Sequence, residues 1–169
     1  MNDTNSTSNV LDFAEGERPK LTTGLNVLTI LTFVGCAIGL IFSLIGFVNA
    51  EKSYKTLVDA QANLANVPSW ARGMMGPEAL EVAKKSMENK LPILLLSIVS
   101  IALCLYGAIE MRKLKKQGFI LWLAGEVLPI VSSFLFIGAG SFKGFGLIVV
   151  LIPVIFIILY ALQRKNLVY

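Results

Sequence analysis

The sequence predicts an all-α fold, a four-helix transmembrane bundle with a partly helical external loop between the first and second spans. Two observations predict it. First, 55% of the 169 residues are hydrophobic and only 15% are charged, with a mean hydropathy of +0.71, whereas soluble domains carry about a quarter charged residues. Second, four apolar stretches are each long enough, at ~1.5 Å per residue, to cross or nearly cross a ~30 Å hydrocarbon core. Spanning strands would instead need alternating polarity and closure into a barrel.

The first span is predicted over residues 24–48, after a polar segment, 1–23, that is rich in Asn, Ser and Thr. That segment has no apolar period, so we expect it to be flexible. The span is much longer than the ~7–15-residue apolar core of a signal peptide, which indicates an uncleaved transmembrane helix.

The sizeable loop of the chain covers residues 49–90. Apolar residues near helical spacing predict a short amphipathic helix from Glu51 to Val67, after which Pro68 and the pair Gly73/Gly76 break the helical pattern. Pro77 suits the first turn of a second helix, which can continue into the next span.

Three further spans are predicted over residues 91–111, 119–139 and 145–162, followed by a tail over 163–169. The last two spans are joined by residues 140–144, which allow only an antiparallel turn. Together with the first span and the loop, they make one membrane domain over residues 24–162.

The charge on the connecting segments predicts the orientation. Lys and Arg are divided almost equally, eight on the side of the termini and seven on the other side. Six of those seven are spread through a 42-residue loop that also holds five acids, whereas Arg112–Lys116 has four bases in five positions. Because short loops carry the orientation signal, we expect this run and both termini in the cytoplasm.

The aromatic residues agree with this orientation, since such residues often form belts at membrane surfaces. The sequence places Phe119, Trp122, Tyr106 and Tyr160 toward the cytoplasmic ends of their spans, and Tyr54 and Trp70 beyond the opposite face.

Glu126, in the third span, is the leading candidate for an intramembrane polar site. It follows Phe119 by seven residues, which corresponds to ~10 Å from the cytoplasmic end of the span. An ionised carboxylate there costs ~2.5 kcal/mol or more without a partner. Pro129 also leaves the carbonyl of Gly125 without its helical donor. The groups expected at the same depth are Thr29, Thr32, Cys104 and Tyr106, of which the Tyr106 or Thr hydroxyls could bond the carboxyl.

Two roles for Glu126 stay open from the sequence. The carboxyl could bind a proton or a cation in a transport path, or it could be a hydrogen-bonded group that holds helices together. A second acid, Glu110, ends the second span beside the basic run, where an ion pair with Lys113 is expected.

Small residues form stripes on two spans. Gly35, Gly39, Ser43 and Gly46 share one face of the first span, and Gly35–Gly39 is a GxxxG motif. Ser97, Ser100, Cys104 and Gly107 form a similar stripe on the second span. Such stripes permit close helix packing. We expect both to pack within one subunit, with dimerisation through the first stripe as the alternative.

The basic run offers another candidate site, because Arg112, Lys113, Lys115 and Lys116 could contact anionic lipid head groups at ~1 kcal/mol per base. The alternative is that the run only sets the topology.

Enzymatic chemistry has little support in the sequence. The chain has no His, which removes the commonest general base and metal ligand. Its two cysteines, Cys36 and Cys104, lie inside apolar stretches without metal-type spacing, and we expect both to be buried. We therefore expect no cofactor, no metal site, no nucleic-acid partner and no enzymatic activity.

Two segments, Met111–Phe119 (MRKLKKQGF) and Gly125–Pro129 (GEVLP), resemble parts of small four-span bacterial membrane proteins of the kind seen in Bacteroidota. The resemblance covers the second to fourth spans and carries no known activity. It implies a bacterial inner-membrane location. We therefore expect a non-enzymatic subunit or accessory component that works by interaction, with a second copy or another membrane protein as partner. The alternative is a small transporter or channel subunit in which Glu126 responds to protons or cations.

Overall fold

The computed structural model describes residues 21–63, 68–72, 75–142 and 145–169, a part of the chain that is helical and contains no strand. In chain order the helices are α1 (Thr23–Ala62), α2 (Ser69–Arg72), α3 (Pro77–Glu88), α4 (Lys90–Arg112), α5 (Lys116–Phe136) and α6 (Phe145–Gln163). Two 3₁₀ turns, Ala139–Phe142 and Arg164–Asn166, precede and follow α6. The all-α prediction is confirmed. The predicted flexible segment before residue 21, and the expected turn residues Gly73, Lys143 and Gly144, lie outside the described residues.

Three helices in the described part of the chain, α1, α4 and α5, are long and apolar enough to cross a membrane. They correspond to the first three predicted spans. By length and apolar composition, three membrane-spanning helices are therefore found among the described residues, where four were predicted. The fourth predicted span corresponds to α6, which has 19 residues.

Helix α1 continues for 40 residues, so the amphipathic helix predicted from Glu51 is the continuation of the first span. The polar residues after position 48 end the apolar stretch, and none of them breaks the helix. Residues 64–67, the last part of the predicted amphipathic helix, lie outside the described residues. Glu51 pairs with Lys90 of α4 at 2.6 Å. The helix ends where the backbone N–H of Asn63 bonds the carbonyl of Asp59.

Helix α3 begins with Pro77 in its first turn, as predicted, and stops one residue before α4. Asn89 separates the two helices. Its side-chain amide donates to the carbonyl of Lys85 at 3.0 Å and to that of Phe136 at 3.2 Å. This residue therefore ties the start of α4 to the end of α5.

Helices α4 and α5 form a closely packed antiparallel hairpin, with glycines at the contact. A Cβ on Gly107 would lie 2.5 Å from the backbone nitrogen of Trp122, and one on Gly118 would lie 2.5 Å from that of Met111. The turn between the helices contains Leu114, which is buried and has a φ of 60°. This is a left-handed conformation that non-glycine residues seldom adopt.

The chain end after α6 packs onto this turn. The backbone N–H groups of Val168 and Tyr169 donate to the Leu114 carbonyl, and Leu167 is buried. The buried apolar residues gather at this end of the molecule, where α1 begins, the α4–α5 turn lies and α6 ends. The cluster consists of Leu25, Leu28, Cys36, Cys104, Met111, Leu114, Phe119, Trp122, Tyr160 and Leu167.

Candidate functional site

Glu126 lies at the midpoint of α5, ten residues from either end of the helix. Because α5 begins three residues earlier than the predicted span, the carboxyl is ~15 Å from the first residue of the helix rather than ~10 Å. The side chain is half-buried. No hydrogen bond from the described residues reaches its carboxyl group.

Three titratable side chains, two thiols and a phenol, lie near this carboxyl. Cys36 of α1 and Cys104 of α4 are both buried, and their thiols face each other across the two helices. The Tyr160 hydroxyl of α6 shares a 2.7 Å hydrogen bond with the hydroxyl of Thr32. All three groups lie within electrostatic range of Glu126. Each is a weak acid or a hydrogen-bonding group, so the cluster can hold a proton but offers no strong nucleophile–base pair.

Two of the expected partners lie away from Glu126. The Thr29 hydroxyl donates to the Asn26 carbonyl at 2.9 Å and accepts from Arg112 at 3.3 Å, which places it at the end of the bundle. Tyr106 is 55% exposed. It follows the inward-facing Cys104 by two residues, and at ~100° per residue its side chain leaves from the other face of α4.

Pro129 has no N–H group to donate to the Gly125 carbonyl within α5. That carbonyl instead accepts a hydrogen bond from the neighbouring helix. The Ser100 hydroxyl of α4 donates to it at 2.7 Å. The sequence identifies this acceptor correctly but not its donor, because the donor depends on the register of α4 against α5. The carbonyl is therefore engaged in helix packing rather than free to bind a cation.

The two stripes of small residues have different environments. On α4, Ser100, Cys104 and Gly107 contact α5, and the Cys104 thiol also lies 3.7 Å from the Trp122 carbonyl oxygen. On α1, a Cβ at Gly35, Gly39 or Gly46 would meet no atom within 4 Å, so this stripe leaves open space beside it. Ser43 and Gly46 line a groove between α1, α3 and α4.

The bases of the run between α4 and α5 all have partners within the chain. Arg112 bonds Thr29, and the Lys116 ammonium donates to the Val168 carbonyl at 3.1 Å. Lys113 and Lys115 both pair with Glu110, at 2.8 and 2.6 Å. The predicted Glu110–Lys113 pair is thus confirmed, and the Glu110 carboxylate raises the pKa of Lys113 above its ordinary value.

Three of the aromatic residues expected in a surface belt, Phe119, Trp122 and Tyr160, belong instead to the core. Trp122 and Tyr160 are 0% and 1% exposed, and their ring centroids are 4.2 Å apart. The Trp122 indole nitrogen is buried without a hydrogen-bond partner. Hydropathy could not separate the core from the belt here, because both environments accept an aromatic ring.

Among residues 21–63, 68–72, 75–142 and 145–169, no group of three or more Cys, Asp or Glu side chains is arranged to hold a metal ion. No protein-family model matches the chain, and no curated protein or solved structure is similar to it.

Proposed function

We propose that this chain is a four-span protein of the bacterial inner membrane, with both termini cytoplasmic, that works by interaction as a non-enzymatic subunit or accessory component. The observation that carries the proposal is the open face of α1. A helix of spanning length that carries a GxxxG motif and leaves it uncovered offers a surface on which a second membrane helix can pack closely.

A fourth crossing by α6 is supported by its contacts at both ends. Near its end, Tyr160 bonds Thr32 of α1, and Gln163 lies against Gly24 at the beginning of α1. Near its start, α6 shares an apolar groove with the end of α5, through Leu147 and Phe134. Nineteen residues measure ~28 Å, close to the hydrocarbon thickness.

The cytoplasmic placement of the termini rests on the basic run, Arg112–Lys116. A reporter fused after Lys116 should behave as cytoplasmic, and one inserted near Gly73 as external. The opposite pattern would overturn the orientation without affecting the interaction proposal.

The interaction proposal is tested by adding bulk to the open face of α1. Because a Cβ at Gly35 or Gly39 meets nothing within the chain, the double variant Gly35→Leu/Gly39→Leu should fold as the parent does. In mild detergent, the parent extracted from its native membrane should have the mass of a homo-oligomer or of a complex with another membrane protein. The double variant should lose that association.

Ala37→Leu is the matched control, because at ~100° per residue this position lies on the opposite face of α1. It should keep the association. If the parent is a monomer in its native membrane extract, or if the double variant associates as the parent does, the interaction proposal is wrong.

A second candidate function is a small transporter or channel subunit that uses Glu126 as a proton- or cation-responsive group. The observation that favours it is a carboxyl at the middle of a spanning helix that accepts no hydrogen bond from the described residues. In proteoliposomes the parent should then carry a proton or cation flux that Glu126→Gln abolishes. The absence of flux in the parent, or an unchanged flux in the variant, would exclude this function.

A further inference from the structure

A groove of about 350 Å³ opens between α1, α3 and α4, away from the packed end of the molecule. Its walls are mainly apolar, with Phe42, Phe47 and Leu94 among the lining residues, and Ser43 and Ser97 lie at its inner end. Gly46 also lines it, with no atom within 4 Å of where its Cβ would be. The groove has the size of a small-molecule site and the composition of a site for an apolar chain.

The inner part of the groove lies in the apolar stretch of α1. Along α1 the groove extends from Phe42 to Ser53, and its residues up to position 48 belong to that stretch, which is ~9 Å at ~1.5 Å per residue. One leaflet of a ~30 Å hydrocarbon core is ~15 Å deep. Both helices that form the long walls of the groove, α1 and α4, are of spanning length. The groove can therefore hold the head-group end of a single acyl chain in the leaflet beside α3.

Two opposite charges lie at the side of the groove, one in its lining and one just outside it. Lys90 lines the groove, and its ammonium lies 5.6 Å from the centroid of the Phe47 ring. Glu51 pairs with it at 2.6 Å from just outside the groove, and is more exposed, at 60% of its side chain against 34%. Moving outward from the apolar walls, a positive charge therefore precedes a negative one.

We propose that this groove binds a phosphatidylethanolamine molecule, with an acyl chain between α1 and α4, the phosphate on Lys90 and the ammonium on Glu51. In that lipid the phosphate is attached next to the acyl-bearing glycerol and the ammonium lies beyond it, so its charges complement the order of the two side chains. The ammonium can donate hydrogen bonds to the carboxylate, which a quaternary ammonium cannot do. An anionic head group would leave Glu51 facing a negative charge.

Lipid retention on the full-length protein tests this proposal. The purified chain, stripped of lipid in mild detergent, is titrated with phosphatidylethanolamine, phosphatidylcholine and phosphatidylglycerol of identical acyl chains, and adducts are counted by native mass spectrometry. Phosphatidylethanolamine should bind about threefold or more tightly than the other two, the range that one exposed charge pair contributes. Equal binding of all three would overturn the proposal.

Variants separate the acyl chain from the head group. Gly46→Leu fills the groove without meeting another atom of the chain at its Cβ, and should weaken all three lipids, whereas Ala37→Leu on the opposite side of α1 should weaken none. Glu51→Gln should remove the preference for phosphatidylethanolamine over phosphatidylglycerol. If Gly46→Leu retains phosphatidylethanolamine as the parent does, the groove is not the site.

The exchange Glu51→Lys/Lys90→Glu distinguishes lipid recognition from a purely structural ion pair. It preserves an attraction between α1 and α4 but reverses the order of charges at the groove. We expect thermal stability near that of the parent and no recovery of the preference for phosphatidylethanolamine. Recovery of that preference would show that the pair acts only by holding the helices together.

Discussion

Pro129 leaves an unpaired carbonyl in the middle of α5, and in a lipid environment no water is present to satisfy it. The Ser100 hydroxyl satisfies it from α4 at 2.7 Å, beside Gly125, where a Cβ would lie 2.8 Å from the Ser100 carbonyl oxygen. The proline, the glycine and the serine therefore depend on one another. The glycine permits the close approach, and the approach brings the hydroxyl to the carbonyl that the proline frees.

We expect Ser100→Ala to lower the free energy of unfolding by about 1 kcal/mol, within the range measured for hydrogen bonds between membrane helices. Ser97→Ala is the matched control, because the Ser97 hydroxyl donates to the Ile93 carbonyl of its own helix and, among the described residues, to no other helix. That variant should change stability by less than about 0.5 kcal/mol. The measurement is unfolding in mixed micelles of increasing denaturing-detergent content. Equal effects of the two variants would contradict the role assigned to Ser100.

Glu81 and Lys85, one turn apart on α3, supply a prediction about pH. Lys85 lies 2.6 Å from the Glu81 carboxylate and holds the pKa of that group below its ordinary value of 4.5. A lowered folded-state pKa means that the pair supports α3 above pH 4.5 and loses this effect as the pH falls through the folded-state pKa. The effect on stability is small because both side chains are exposed.

A carbon NMR titration of the Glu81 carboxyl checks this prediction. The midpoint should lie below 4.5 in the parent and move upward, toward 4.5, in Lys85→Gln. An unchanged midpoint in the variant would show that Lys85 does not lower the pKa.

At the scale of elements, the apolar stretches predict where helices cross but not where they end. The boundaries of α4 fall within one residue of the predicted span, because apolar composition and helix coincide there. Helix α1 continues 14 residues past the predicted end of its span, because polar side chains on a helix surface are favourable once it leaves the lipid. A change in composition therefore locates the membrane surface, whereas a helix ends only at a residue that breaks it or caps it.

The register of α1 against α4 can be tested with the chain's own cysteines. Glu51 meets Lys90, Cys36 meets Cys104, and Thr29 meets Arg112, an antiparallel order that runs the length of the contact. Mercuric ion, which bridges two thiolates, should therefore bind one per chain. The bound mercury should prevent both cysteines from reacting with maleimide after the chain is denatured.

In Cys36→Ser or Cys104→Ser, the remaining thiol cannot form this bridge within one chain. A mild competing thiol should then remove the mercury and leave that cysteine open to maleimide, while the parent stays protected. Separate reaction of both thiols in the folded parent would place α1 in another register.

At the scale of the whole molecule, packing is concentrated at one end. The ten buried apolar residues of the core gather where α1 begins and α6 ends, whereas α3, at the opposite end, has no buried residue. Sequence periodicity could not predict this asymmetry, because the long helices α1, α4, α5 and α6 have apolar residues nearly all round and show no preferred inward face. The partners of Trp122 and Tyr160, and the surroundings of Glu126, follow from this packing and not from local spacing.

The number of crossings can be tested at the packed end of the molecule, where both ends of the chain meet. The side chains of Thr22, before α1, and Asn166, after α6, lie 3.5 Å apart. If the chain crosses the membrane four times, both residues must be labelled from the same side. In a background with both cysteines replaced by Ser, Thr22→Cys and Asn166→Cys should react with an impermeant maleimide only from the cytoplasmic side, and Asn63→Cys only from the other. If α6 did not cross, Asn166→Cys would label with Asn63→Cys, because three crossings leave the two ends of the chain on opposite sides.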